Sequence, residues 1–313
     1  FKHLASRYLL SDLGIAAIPN EVYTSTGLSI KNESPLSTTF TIELANGAEG
    51  YIPPPDQHKL GGYTTWRART SCLEEQAEPK IRGKIMDLLR KVATRPARGA
   101  RQLPDSGLQK TDEVDREETS KQSADAPRAP FRAGAYAIDI TPTKFPVIVN
   151  GMFTERTASG AADKLHARCL VLDDGRERIA IVIVDSLMMP RELLDEAKQL
   201  AAKSTGIAAD KMLIAATHTH SAPSVMGCLG SGVDREYPAF LVRQIVRGIQ
   251  LADERMQPAK VGFAVVQDRE HTHCRRWLTR PDRVGGDPFG RATVRAMMHP
   301  GYQNAAYVGP AGP

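Results

Sequence analysis

The sequence predicts an α/β fold, with mixed sheets covered by helices, and three observations carry that reading. Apolar, β-branched runs alternate with amphipathic helical stretches through residues 131–267. The run Met212–Ala216 is wholly apolar, as a strand covered on both faces would be. Hydrophobic residues make up 41% of 313 and charged residues 25%, a balance that supplies a core. Composition also divides the chain into two partial units joined by a disordered linker: residues 1–95, a linker at 96–130, and residues 131–313.

In the first zone, Leu13–Ile18 is expected to pass from turn to strand and to stop at Pro19. The alternation Ser37–Leu44 reads as a second strand. Pro79 suits the first turn of a helix whose apolar stripe is Ile81, Ile85, Leu88, Leu89 and Val92. Residues 96–130 are polar, charged and nearly without aliphatic side chains, too little apolar surface to offset the entropy of an ordered chain. In the third zone, strands are expected at Ala135–Ile140, His166–Leu172, Arg178–Asp185, Met212–Ala216 and Ala259–Gln267. Helices are expected at Pro190–Ser204, with Leu193, Leu194, Ala197, Leu200 and Ala201 on one face, and at Tyr237–Ala252. Past Gly285 the richness in Gly, Pro, Asn and Ala reads as loop.

Several function classes lose support. The net charge of +5 is spread along the chain without a basic stripe interleaved with aromatics, so no nucleic-acid partner is expected. Cys72, Cys169, Cys228 and Cys274 contain no C-x-x-C pair, which argues against a cysteine-based zinc finger. No apolar run reaches the roughly 18 residues that span a bilayer. Neither a P-loop, a G-x-G-x-x-G after a strand, nor a G-x-S-x-G elbow is present.

The sharpest local feature is Thr217-His218-Thr219-His220-Ser221, directly after the apolar strand. Ligands of α/β folds gather at the carboxyl ends of strands. In extended backbone, residues two apart point to one side, so His218 and His220 are expected to face one centre together. Imidazole suits Zn²⁺, although two histidines alone do not make a site. The cluster Glu270-His271-Thr272-His273-Cys274-Arg275-Arg276 repeats the spacing and adds a thiol. Its histidines could supply ligands, or Arg275 and Arg276 could hold an anionic or polar substrate group; a solvated basic loop is the plainer reading. Glu21 emerges from an apolar segment, where a carboxylate is placed as ligand, base or ordinary surface residue. Tyr51 sits in Pro- and Gly-rich surroundings that suit a rigid loop aiming its side chain, or simple packing.

Residues 131–313 resemble the N-terminal part of the neutral/alkaline non-lysosomal ceramidase family. The resemblance rests on FRAGAYAIDITP, NGMFTERTASG, LHARCLVLDDG, IAIVIVDSLMM and MLIAATHTHSAPS. Residues 13–75 resemble the C-terminal part of that family's catalytic domain, through IPNEVYTSTGLSIK and LANGAEGYIPPPDQHKLGGYTTWRART. The resemblance implies zinc held by two histidines, a glutamate and a tyrosine, of which His218, Glu21 and Tyr51 are the matching positions. It places His220 near the metal and the reacting group, assisting proton transfer or oxyanion stabilisation. The implied reaction is hydrolysis of an N-acyl amide, ceramide or another N-acylated substrate, with export or a membrane-surface location. The order of the parts is reversed relative to the family, which implies the tail of one unit followed by the head of the next, or a circular permutation. No histidine matches the family's second zinc histidine, and HTHCRRWLTRPD stands where an Asn-Arg-Ser-Pro-like stretch is expected. The alternatives are a non-catalytic relic or binding module on the same scaffold, and a different metal hydrolase using His218, His220, His271 and His273.

Overall fold

A computed structural model describes residues 6–10, 13–93, 130–268, 270–298 and 303–313. The expected linker at 96–130 lies, but for Pro130, outside the described residues. In the first segment, β1 (Ser6–Leu10) pairs antiparallel with β2 (Leu13–Ala17). The short β3 (Glu21–Val22) and helix α1 (Thr24–Glu33) then lead to β4 (Thr38–Ile42), which returns parallel to β2. Next come β5 (Tyr51–Ile52), the single turn α2 (Pro55–His58) and α3 (Ala77–Ala93). Helix α3 starts two residues before the expected Pro79, which sits in its first turn. Met86 is buried on its inner face, and Leu88 is only half-buried.

The second segment builds a five-stranded sheet from β6 (Arg132–Asp139), β9 (His166–Asp173), β10 (Arg178–Val184), β11 (Met212–Ala216) and β12 (Gln257–Pro258), in the order β11-β10-β9-β6-β12. The hairpin β7 (Val147–Val149) and β8 (Arg156–Ala158) lies outside that sheet. Strands β10 and β11 run parallel because α4 (Arg191–Thr205) crosses between them, and α5 (Tyr237–Glu254) packs beside α4. Helix α4 ends at Gly206, whose φ of 72° and N–H bond to Ala202 O form a left-handed cap.

Side-chain alternation explains how the two sheets meet. On β2, Ala16 and the following Ile18 face Ile30 of α1 and Ile81, Ile85 and Leu89 of α3. Ile15 and Ala17 face the opposite way, into a cluster with Ala45, Leu213 and Ala215 that Ile179, Ile181 and Ile183 border. The other faces of β10 and β11, carrying Val182, Val184, Ile214 and Ala216, meet Leu194, Ala197, Leu241 and Ile245 of α4 and α5. The layers therefore run helix, sheet, sheet, helix, and one apolar cluster draws side chains from both segments. A polar seam continues the contact. Asn46 N–H donates to Ile214 O (2.8 Å), Ile214 N–H donates to Asn46 Oδ1 (3.0 Å), and Ala216 N–H donates to Leu44 O (3.3 Å).

The rest of the second segment forms β13 (Arg276–Thr279), β14 (Gly285–Gly286), β15 (Ala292–Val294), β16 (Ala296–Met298) and β17 (Tyr307–Pro310). The region past Gly285 was expected to be loop. These strands form by backbone pairing, with β13 between β16 and β17, and carry little side-chain pattern. Their sheet docks on the first segment, where Arg295 and Ala296 N–H groups both donate to Leu60 O (2.8 and 3.0 Å).

Two further expectations need correction. Ala259–Gln267 is not a strand: beyond the Ala259 N–H bond to Phe131 O, its course is extended but outside any sheet, and Val265 and Val266 are exposed. On α4, Leu200 is exposed and Lys198 is buried in its place, since the apolar stem of lysine packs like a hydrocarbon. No helix among the described residues is long and apolar enough to cross a membrane.

Candidate metal and hydrolysis site

The site forms where four strands end. Just beyond β2, Glu21 lies in β3; beyond β4, Tyr51 lies in β5; β3 and β5 pair in parallel with Glu21 and Tyr51 in register. That register puts the carboxylate and the phenol side by side. The loop before Tyr51 is tightly held. Glu21 N–H and Asn20 Nδ2 both donate to Gly50 O (3.1 and 3.0 Å), and Tyr51 N–H donates to Thr70 O (2.8 Å). Gly50 has φ of 81°, and a Cβ there would lie 2.6 Å from Thr70 O, so only glycine fits.

The second segment supplies His218. Thr217 N–H still donates to Val184 O (2.9 Å), prolonging the ladder, and then His218 turns into the left-handed region at φ of 61°. The extended geometry expected for Thr217–Ser221 is therefore broken at its second residue, and alternation is not what brings the histidines together. The His218 and His220 rings stand edge to face with centroids 5.0 Å apart. His218 Nδ1 lies 3.1 Å from Leu187 O, and its Nε2 lies 3.3 Å from Glu21 Oε2. His220 Nδ1 lies 2.6 Å from Gly151 O. Arg156 donates to His220 O.

Both ring nitrogens of His218 thus face oxygens that only accept. A neutral imidazole has one N–H and can satisfy one of them. Either the ring is protonated, or a cation sits between Nε2 and the carboxylate. Although burial pulls the other way, the Glu21 carboxylate holds the His218 imidazolium above its usual pKa. Burial, and then Glu21 beside it, push the Tyr51 phenol well above its ordinary range. Glu21 is 5% exposed, and its Oε1 is buried with no hydrogen-bond partner. An orphaned carboxylate oxygen beside an imidazole nitrogen and a phenol is a donor set of the type that fits Zn²⁺. Among the described residues no three His, Cys, Asp or Glu side chains converge, so a metal here would take tyrosine as its third protein donor.

Glu21, Tyr51 and His218 line a cavity of about 290 Å³, with Glu43, Arg275 and Arg276 also on its wall. Arg275 is exposed, whereas Arg276 is buried and bonded to Gln57 and Gly61. His273 and Cys274 reach the same cavity. His271 does not belong with the other three histidines: it is exposed, with Nδ1 3.1 Å from Asp268 Oδ2. Sequence reasoning passed over Tyr63, whose ring lies 5.9 Å from Tyr51 edge to face and whose hydroxyl donates to Met298 Sδ (3.0 Å). It also passed over Asn150, buried beneath Gly151, whose Oδ1 accepts from Gly151 N–H (2.6 Å). The Gly61-Gly62-Tyr63 and Asn150-Gly151 turn sequences were the available signals.

No protein-family model matches the chain. Among solved structures, the chain is similar to the neutral ceramidase from Pseudomonas aeruginosa, at 28% identity over 41% of this chain and 22% of that one, with a TM-score of 0.38. A second similar structure is a ceramidase complexed with C2, at 26% identity, the same coverage of both chains, and a TM-score of 0.33. The chain therefore spans 22% of the length of each of these proteins.

Proposed function

We propose that the two segments together furnish one zinc site for hydrolysis of an N-acyl amide, with Glu21, Tyr51 and His218 as the protein donors. The observation that carries this reading is the buried, partnerless Glu21 Oε1 beside a histidine whose Nε2 also faces the carboxylate. When bound, zinc supplies Lewis-acid polarisation of a carbonyl and lowers the pKa of water. The chain's own residues supply the rest. Because Gly151 O can only accept, His220 carries its proton on Nδ1, which leaves Nε2 as the basic nitrogen. His220 is in this way oriented to take a proton from the attacking water and return it to the leaving amine. The Leu187 carbonyl does the same for His218, directing its Nε2 at Glu21. Substrate would enter through the cavity that these donors line. The family resemblance of the quoted motifs supports an N-acylated substrate, ceramide or another, met at a membrane surface or outside the cytoplasm.

Elemental analysis of the dialysed chain tests this, alongside His218→Ala and Glu21→Ala. Near-stoichiometric zinc that is lost in both variants is the expected result. Zinc lost only with His218→Ala would move the site into the second segment alone, and no zinc in the unaltered chain would sink the proposal.

A further inference from the structure

Arg276 is a buried cation without a counter-ion. It is 5% exposed. Its Nε donates to Gln57 Oε1 (3.1 Å), and its Nη2 donates to the carbonyl oxygens of Gln57 (3.2 Å) and Gly61 (2.6 Å). All three acceptors are neutral. Among the described residues no carboxylate lies within ion-pair distance of the guanidinium, and its Nη1 makes no hydrogen bond. Other shielded arginines differ: Arg178 pairs with Asp253 at 2.9 Å and Arg191 with Glu49 at 3.1 Å. Taking a guanidinium out of water is unfavourable unless its charge is matched, and bonds to neutral oxygens leave that charge standing.

Arg276 lines the same cavity as the candidate metal donors, and Arg275 lines it too. Gly62 leaves the guanidinium room, since a Cβ there would come within 2.9 Å of Nη1. Glu21 and Glu43 also line this cavity and would repel an anion placed beside them. An anionic group would therefore sit against the arginines. With Nε and Nη2 already bonded, Nη1 is the nitrogen left to donate to a carboxylate oxygen, in a charge-assisted bond.

We infer that this cavity takes a ligand bearing a carboxylate, seated against Arg276 with Arg275 beside it. Resting on the amide-hydrolase reading above, this makes the substrate class N-acylated amino acids in preference to neutral N-acyl amides. Arg276 also braces residues 57–61, so the test must separate brace from charge.

The full chain, with and without added zinc, is titrated by calorimetry with N-octanoylglycine and with its neutral counterpart N-octanoylglycinamide. The acid is expected to bind at least about tenfold tighter, with the difference shrinking as salt rises. Arg276→Gln should remove the preference. Should that variant fail to fold, Gln57→Glu decides the matter. It sets a carboxylate where Gln57 Oε1 now meets Nε, at the loss of the Gln57 Nε2 bonds to Asp56 Oδ2 and Ala311 O, and is expected to abolish the preference while the circular dichroism spectrum holds. Equal binding of the two ligands, binding of neither, or a preference that survives Gln57→Glu would overturn the inference. Binding is read without turnover, so an acid that binds and is never cleaved would count against amide hydrolysis and leave the carboxylate seat standing.

Discussion

Asn46 offers a direct test of whether the two segments share one body. It lies at φ of 62° and is 6% exposed; its N–H reaches Ile214 O at 2.8 Å, and its Oδ1 receives Ile214 N–H at 3.0 Å. Removing the side chain leaves the buried Ile214 N–H unpaired, which costs about 1–3 kcal/mol. Asn46→Gly suffers this loss but sheds the Cβ from the left-handed backbone, which offsets part of it. Asn46→Ala suffers it in full, since alanine keeps a Cβ in that conformation as asparagine does. The expected order of stability is therefore parent, then Gly, then Ala, with the alanine variant about 1–3 kcal/mol below the parent. Urea unfolding monitored by circular dichroism measures it, with m-values checked for constancy. The same variants should lower zinc retention, since the seam holds Glu21 and His218 in one place. Variants as stable as the parent would refute the shared seam, and with it a site drawn from both segments. An alanine variant no worse than glycine would refute the left-handed backbone at Asn46.

Two other changes probe different parts of the structure. At Gly151, φ is 107° and an added Cβ would lie 2.6 Å from the His220 ring, so Gly151→Ala should displace His220. Amide hydrolysis is expected to fall about 100-fold while zinc per chain is unchanged, as kinetics beside elemental analysis would reveal. Lys198 is 7% exposed, and burial pulls its pKa down to about 8. Below that value the charged form is buried at full penalty. Between there and the unfolded pKa of about 10.4 the unfolded chain holds the extra proton, so stability rises with pH across the window. Lys198→Met should accordingly stabilise the protein at pH 7 by up to ~3 kcal/mol, with the gain shrinking towards pH 10 in parallel urea titrations.

Much of the fold was legible because its strands and helices are buried on patterned faces. Strand β11 reads as wholly apolar because α4 and α5 cover one face and the first segment's sheet covers the other. The helical stripes of α3 and α5 follow from one-sided burial. Pattern failed where pairing decides. Val261, Phe263 and Val265 alternate as a strand should and yet stand exposed, because a ladder needs a partner that a local window does not contain. Strands β14 to β17 carry Gly, Ala and Pro, and are made by neighbours rather than by their own residues. The site divides in the same way. Glu21, Tyr51, His218 and His220 could be picked out one by one from strand ends and motif likeness. Their arrangement could not, since it depends on two sheets from distant stretches packing through Ile15, Ala17, Leu213 and Ala215.

The histidine pair comes together by a geometry other than the one expected. Had Thr217–Ser221 continued as strand, both rings would project to one side of β11, in equivalent settings. The left-handed turn at His218, a conformation that histidine adopts more readily than most non-glycine residues, sends the two rings to different carbonyls. Leu187 O fixes one and Gly151 O fixes the other, each through Nδ1. One Nε2 is thereby committed to Glu21, and the other is left without a carboxylate beside it. The proposed function asks for a binding nitrogen and a proton-transfer nitrogen, and two residues in one strand register would not have met both requirements. The backbone strain at His218, a cost of roughly 1 kcal/mol, is consistent with that division of labour.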